Sequence, residues 1–539
     1  MADYVLQQDV RINLRDGIAL SANIWLPKGQ GVWPAILLRT PYSNDPSEYE
    51  RLNLQAYVDE GYAIIYQLVR GVAPSEGAFG FFHCEGKDGY DSIEWIAAQD
   101  WCNGKVAMDG GSYLGTVQWL AAREQPPHLT CIMPSVPAGD YFNEIPYKGG
   151  AFGIDWAASW LSAQAGQPFE FEDDNATSFE PYRPLNRLGE KLGVDMPLLD
   201  KVLAHPTFDD YWQQIQFTDE DFSKITIPVF TITGWFDGDQ AGSLYYWRGI
   251  EQNFADKART QLVIGPWMHG ECYLGGVIDL EQMQFGDDSI LPIQKLRIDF
   301  LNKYMTADGA QSSPPRVNAF IMGMNEWRSD VCYPPQGSSE TDFYLSSAAA
   351  LQLTPGHDGI DQYLYDPANP VPYFPGAADH QGLLARDDVL AFASAPLDTA
   401  VTALGPVAVS LFVTTDGTDT DFVAKLYDID PHGRAVNLSH IPGVIRARYR
   451  NGYDRAEPVT PGEVFAVQIK LPDIGHCFLP GHRIGLDVTS SCFPLVDPNT
   501  NTGGDFRTDT ETRIAQQSVL YGAGHPSRLT LTTIDNAQS

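Results

Sequence analysis

The chain has 539 residues, 43% hydrophobic and 12% aromatic, which is enough apolar material for several buried cores and too much length for one compact domain. Against 35 Lys and Arg stand 69 Asp and Glu, a formal net charge of -34, and so acidic a surface repels phosphate backbones and anionic lipid, arguing against nucleic acid as a partner. Seven scattered cysteines without a CxxC pair argue against a metal site or a disulfide framework.

The start, Met1 to Val5, has no basic stretch followed by an apolar run, and the longest apolar stretches are strand-sized. The expectation is a cytoplasmic protein with no membrane span. From the N-terminus, Val10, Ile12 and Leu14 alternate toward one face, Arg15-Asp16-Gly17 makes a turn, and Ile18 to Leu26 returns as the second strand of a hairpin. Pro34 to Leu38 and Tyr62 to Tyr66 are continuous apolar strands of the kind covered on both faces. Between them Ser47 to Glu60 reads as a helix, and Asp88 to Gln99 as another. A strand at Lys105 to Met108 and a helix at Thr116 to Arg123 continue a rhythm that predicts a mostly parallel α/β sheet.

From about Tyr141 to Phe222 the rhythm breaks. The segment is rich in aromatics, with helical patches at Trp156 to Ala165 and Met196 to Ala204, and it reads as an inserted helical cap. Sheet strands resume at Pro228 to Thr233 and Gln261 to Ile264, and Leu291 to Tyr304 closes this part as a helix. After a polar linker, Ala307 to Pro315, short alternating strands run to the end, including Thr341 to Leu345, Val407 to Thr414, Phe422 to Tyr427 and Ile484 to Thr489, the pattern of a β-sandwich or jelly roll. The expected organisation is an α/β core over 1–140 and 223–310, a cap over 141–222, and an all-β unit over 311–539.

The sharpest chemical signal is Lys105 to Gly115, where a strand runs into Gly110-Gly111, then Ser112, then a helix. This is the setting of a nucleophile elbow, in which small neighbours let the backbone turn sharply and lift the serine hydroxyl above the sheet. The general form is G-x-S-x-G; here Leu114 stands in the last position and the glycine follows at Gly115. A serine nucleophile needs a base and the base an orienting carboxylate, in the chain order Ser, acid, His. Asp237, in Gly234-Trp235-Phe236-Asp237, and His269, in Gly265-Pro266-Trp267-Met268-His269, each follow a strand's end in that order. Asp239 is the nearby competitor for the carboxylate role. An oxyanion hole needs two donors: the Tyr113 amide is one, and the phenol of Tyr42, in the loop after the early strand, is the candidate for the other.

With these pieces assembled the sequence resembles the cocaine esterase and X-prolyl dipeptidyl-peptidase family of serine hydrolases, a group that also holds glutaryl-cephalosporin acylases and α-amino acid ester hydrolases. The resemblance rests on Thr40-Pro41-Tyr42, Val69-Arg70-Gly71, Ser75-Glu76-Gly77, Asp88 to Asp91 and the elbow itself, whose Leu114 matches the family's own form. It extends to Met322 to Arg328, Tyr365 to Pro370, Thr420-Asp421-Phe422, Arg446 to Arg450 and Pro480 to Arg483 in the C-terminal half. It implies Ser112 as nucleophile, His269 as base, Asp237 as its acid, and an oxyanion hole from Tyr42 and the Tyr113 amide. It also implies an α/β-hydrolase core, helical cap and jelly roll. Two departures stand out. Leu68 sits where relatives commonly carry an Asp, and Asp237-Gly238-Asp239-Gln240 keeps only part of the carboxylate cluster with which the α-amino acid ester hydrolases hold an ammonium group.

The expected activity is hydrolysis of a small-molecule carboxylic ester, extending to amides, through an acyl-enzyme and without metal or organic cofactor. A homo-oligomer is compatible with the sequence. Phe152, Trp156 and Trp160 are candidate walls of the substrate pocket. Asp239 or Asp140 facing it would favour an amine-bearing acyl group, as in a peptidase or α-amino acid ester hydrolase; a basic residue there would favour a carboxylate such as glutaryl, as in a β-lactam acylase. The rival of another class is a carbohydrate- or partner-binding protein with a decayed hydrolase core.

Overall fold

The computed structural model describes residues 4–169, 182–306 and 315–535. Strands β1 (Tyr4–Asn13) and β2 (Ala19–Pro27) form the expected N-terminal hairpin, with Ile12 and Leu14 buried on one face. β3 (Trp33–Thr40) and β4 (Ala63–Leu68) pair in parallel; β4 is buried throughout and β3 from Ala35 onward, as strands covered on both faces must be. Helix α1 (Glu48–Asp59) joins them. It starts where the sequence offers a capping box: the Ser47 hydroxyl accepts the Glu50 amide and the Glu50 carboxylate accepts the Ser47 amide at 2.8 Å. Helix α2 (Glu85–Ala97), β5 (Cys102–Gly111), α3 (Tyr113–Arg123) and β6 (Leu129–Ser135) continue the alternation.

The ten strands of this sheet run in the order β1-β2-β4-β3-β5-β6, then Val229–Phe236, Thr260–Met268, Val317–Ile321 and Glu326–Asp330. From β4 to Val317–Ile321 every pairing is parallel, and the antiparallel pairs lie at the two edges. The loops that carry Asp237 and His269 therefore leave neighbouring strands at their C-terminal ends, where open α/β sheets build their sites.

Between β6 and Val229–Phe236 the described residues include helices, Pro197–Ala204 among them, and a π-helical turn at Ala157–Leu161. One feature of this segment departs from the helical expectation. Tyr147–Lys148 and Ala151–Phe152 form a small antiparallel ribbon. Its turn is Gly149-Gly150, at φ 56° and 86°. A Cβ on Gly149 would stand 1.8 Å from the Val444 carbonyl oxygen, so glycine is what lets the ribbon lie against the C-terminal unit.

The C-terminal half is all-β, a twelve-stranded sheet whose long strands Val401–Thr415 and Phe465–Phe478 pair antiparallel. Its own apolar cluster includes Leu345, Val409, Leu426 and Leu486. Polar ties join it to the first sheet: Arg248 grips Asp473 at 2.7 Å and the Gln240 amide donates to the Asp473 carbonyl at 3.0 Å. The expected linker falls, up to residue 314, outside the described residues. Among the described residues no helix is long and apolar enough to cross a membrane.

Candidate active site

β5 delivers Ser112 to the mouth of the parallel sheet and α3 begins at the next residue, three positions earlier than the sequence pattern predicts. Ser112 has φ 58° and ψ -126°, a conformation that costs a non-glycine residue energy and is held by its surroundings. Its amide donates to the Ser135 carbonyl at 3.0 Å, and its own carbonyl accepts from Gly115 and Thr116 at 2.9 and 3.0 Å. The glycine spacing has a packing cause. A Cβ on Gly115 would meet the Ser135 carbonyl oxygen at 2.7 Å, whereas Leu114 points into the core. The small residue is therefore needed one position beyond the general motif.

Asp237 and His269 meet. The imidazole Nδ1 donates to Asp237 Oδ1 at 2.8 Å. The Asp237 carboxylate is 2% exposed and receives two further donors, the Thr233 hydroxyl on Oδ2 at 3.0 Å and the Asp239 amide on Oδ1 at 3.1 Å. Asp239 Oδ2 lies 4.0 Å from Nδ1, so of the two carboxylates Asp237 is the one hydrogen-bonded to the imidazole. Burial works against the imidazolium, but the Asp237 carboxylate overrides it, with Asp239 adding to it, and holds His269 up at about 9. The ring opens on the cleft, 39% exposed, and so keeps part of its hydration. Burial pushes Asp239 up to about 6, against the pull of His269.

Tyr42 stands beside Ser112. Burial raises its phenol, Trp160 and Ser112 pull the other way, and the residue is half-exposed at the cleft's rim. Tyr113 is anchored by a buried network: its hydroxyl donates to Glu85 at 2.8 Å, and Glu85 pairs with Arg39, itself fully buried, at 2.7 Å. Burial raises Glu85, against the pull of Arg39. Leu68, at the departure from the family pattern, is buried and leaves no ion pair wanting, because Arg70 takes Asp88 at 2.7 Å and Asp16 at 2.8 Å.

Ser112, His269, Tyr42 and Tyr113 line one cleft of about 550 Å³. Trp156 and Trp160 form part of its wall, stacked with centroids 5.7 Å apart. Asp239 also faces it. Two expected lining residues do not. Phe152 is fully buried in the ribbon against Tyr147, because the pairing of Ala151–Phe152 turns its ring into the core. Asp140 turns its carboxylate to Asn143, at 3.3 Å, and burial raises it. A larger concavity, about 630 Å³, lies on the all-β unit among Gln362, Tyr363 and Arg386, away from the serine and its base.

Three residues at or beside the site escaped the sequence reading. The Tyr273 hydroxyl contacts His269 Nε2 at 3.1 Å, the position a serine proton must reach. Its spacing of four from His269 is the signal that would have found it, together with Gly111, where a Cβ would lie 1.9 Å from the Tyr273 ring. His440 comes from the all-β unit. Its Nδ1 accepts the Gly376 amide at 3.3 Å, so Nε2 carries the proton and donates to the Tyr373 hydroxyl at 3.0 Å. Burial lowers it to about 4, leaving it neutral. Lys148 enters from the ribbon. Neither of these last two carries a local motif. Among the described residues no group of three or more His, Cys, Asp or Glu side chains is gathered to hold a metal ion.

The chain matches the family model of the X-Pro dipeptidyl-peptidase (S15 family) over residues 16–271 and that of the X-Pro dipeptidyl-peptidase C-terminal non-catalytic domain over residues 309–530. It is 32% identical to the cocaine esterase of Rhodococcus sp. (strain MB1 Bresler), with 99% of each chain covered. Among solved structures it is similar to an aminopeptidase from a marine sediment Thaumarchaeota archaeon, at 28% identity and TM-score 0.87, and to an α-amino acid ester hydrolase, at 26% and 0.88. Each alignment covers 99% of this chain and 97% of the other. A strained serine at a strand-to-helix turn, an Asp–His pair on adjacent strand ends and a two-part chain that matches these relatives end to end lead to one assignment: the protein belongs to the cocaine esterase and X-Pro dipeptidyl-peptidase (CocE/NonD) family of serine hydrolases.

Proposed function

We propose that this chain hydrolyses carboxylic esters of small molecules, with Ser112 as nucleophile, His269 as base and Asp237 as the acid that orients it. The observation that carries the reading is the Asp237–His269 bond of 2.8 Å opening on the same cleft as the strained Ser112. Tyr273 releases Nε2 as substrate enters. Ser112 Oγ then attacks the carbonyl carbon while its proton passes to Nε2. The carbonyl oxygen takes up negative charge against the Tyr42 hydroxyl and the Tyr113 amide. The imidazolium, stabilised by Asp237, returns the proton to the leaving alcohol. Water attacks the acyl-enzyme by the reverse sequence and frees the acid.

The relatives support ester cleavage through the cocaine esterase and the α-amino acid ester hydrolase, and an amide substrate through the aminopeptidase. A second reading, an amine-bearing acyl group, draws on Asp239, which faces the cleft beside His269. We also read the chain as a core in two parts with a cap inserted at 141–222, followed by a jelly roll. Seven free thiols, five of them buried, support a reducing, cytoplasmic setting. The deciding experiment is turnover of p-nitrophenyl esters of increasing acyl length beside an aminoacyl p-nitroanilide. Fast ester turnover that disappears in Ser112→Ala upholds the esterase reading. Cleavage of the anilide alone would replace it with a peptidase, and an unchanged Ser112→Ala would return the reading of a binding protein.

A further inference from the structure

The cleft has an acidic side and carries its own counter-charge. Besides the catalytic pair, Glu144, Asp155 and Asp239 line it, and Lys148 lies among them. The ribbon that bears Lys148 is clamped on both sides. The Tyr147 hydroxyl donates to the Val202 carbonyl at 3.0 Å, the Gly149 carbonyl accepts the Arg446 amide at 2.8 Å, and the Phe152 amide donates to Asp497 at 2.7 Å. The lysine is thus delivered to a defined place.

There Nζ donates to the Glu144 backbone carbonyl at 2.6 Å. Among the described residues no carboxylate comes within the 4.0 Å of an ion pair with it. The Glu144 carboxylate is committed elsewhere, to the amides of Gly139, Asp140 and Gly242 at 2.8, 3.1 and 2.8 Å. Asp239 also acts on Lys148 across the cleft without touching it. Burial lowers Lys148 from the ordinary lysine value, and Asp239, Glu144 and Asp155 pull the other way and recover part of that cost for the ammonium.

An acidic cleft of this kind attracts any cation small enough to enter it. Here a cation is already tethered inside. We propose that Lys148 is a specificity-determining residue: it supplies from within the chain the positive charge that the acidic side of the cleft would otherwise take from a substrate, and so excludes acyl groups that carry an ammonium in favour of neutral ones. The proposal rests on the ester hydrolase reading and deepens it. A second ammonium in the cleft meets a like charge in a partly dehydrated space, a juxtaposition ample for a discrimination of about tenfold. In this arrangement Asp239 is a site for amines that Lys148 holds closed.

The test compares kcat/KM for the p-nitrophenyl esters of butyric acid, 4-aminobutyric acid and succinic acid (the half-ester), in wild type, Lys148→Met and Lys148→Arg. The ratio of aminobutyrate to butyrate should rise at least about tenfold in Lys148→Met. It should stay near wild type in Lys148→Arg, which keeps the charge. Adding Asp239→Asn to Lys148→Met should remove the gain. Inhibition by n-butylammonium gives a readout apart from turnover: Ki should fall at least about tenfold in Lys148→Met. Thermal melts establish that each variant is folded. An unchanged ratio and Ki in folded Lys148→Met would overturn the proposal. So would a wild-type preference for the succinate half-ester that Lys148→Met loses, since Lys148 would then be binding substrate anions. Absence of ester turnover in wild type would instead remove the ester hydrolase reading itself.

Discussion

The Asp237→Asn variant isolates what the carboxylate's charge contributes, because the structure dictates how the amide would sit. Asp237 Oδ1 receives two donors, His269 Nδ1 at 2.8 Å and the Asp239 amide at 3.1 Å. Oδ2 receives only the Thr233 hydroxyl, at 3.0 Å. A side-chain NH2 cannot face two N–H donors, but it can face a hydroxyl, which accepts as readily as it donates. The new amide therefore turns its oxygen to His269 and its nitrogen to Thr233. The imidazole keeps its proton on Nδ1 and its orientation, and only the negative charge is lost. A hydrogen bond to a charged group exceeds a neutral one by about 1–2 kcal/mol, and the buried setting of Asp237 places the loss at the upper end. The expected fall in kcat on a p-nitrophenyl ester is about 5- to 30-fold, toward the larger figure.

The pH profile supplies the second half of the test. The base must be neutral, and Asp237 holds the imidazolium up toward about 9, so kcat/KM of the wild type rises as pH rises through His269's titration. Removing the carboxylate's charge moves that limb to lower pH, toward the ordinary histidine value of about 6.5. A loss of about 10⁴-fold, the size associated with a wrong tautomer, together with an unmoved limb, would refute the argument. It would mean that the amide has turned its NH2 to the imidazole.

Tyr42→Phe removes one of two donors to the developing oxyanion and should lower kcat about 10²- to 10³-fold with little change in KM, read in steady-state kinetics on the same ester. An effect on KM alone would make Tyr42 a wall. Arg446 binds Asp421 at 2.9 Å through two nitrogens and Asp497 at 3.1 Å, with every partner almost fully buried. Arg446→Ala leaves two buried carboxylates unpaired and should cost about 3–5 kcal/mol in a urea melt. A loss under about 1 kcal/mol would show that water reaches the site and solvates them.

Sequence patterns reached the elements whose cause is local. The helix read over Ser47 to Glu60 is α1, and its start has a local cause, a capping box between Ser47 and Glu50. The β3 and β4 strands are legible because both faces are covered, which leaves no room for polar alternation. The elbow and the acid and base loops are legible for a related reason, since each is a strand followed at once by a polar residue. What escaped depends on contacts between distant segments. Phe152 reads as a pocket aromatic until the Gly149-Gly150 turn sends it inward. Lys148 and His440 meet the cleft only because the ribbon and the all-β unit dock beside it. Helix α3 starts at Tyr113, earlier than its apolar spacing suggests, because the strain is concentrated in Ser112 alone.

The most direct test of the central claim is labelling with a fluorophosphonate, which transfers its phosphonyl group to an activated serine with loss of fluoride. Intact mass and peptide mapping should find one group per chain, on Ser112. Labelling should fall sharply in Asp237→Asn below pH 6, where the imidazole is protonated, and vanish in Ser112→Ala. A label on any other serine, or undiminished labelling of Ser112→Ala, would contradict the assignment of Ser112 as the nucleophile.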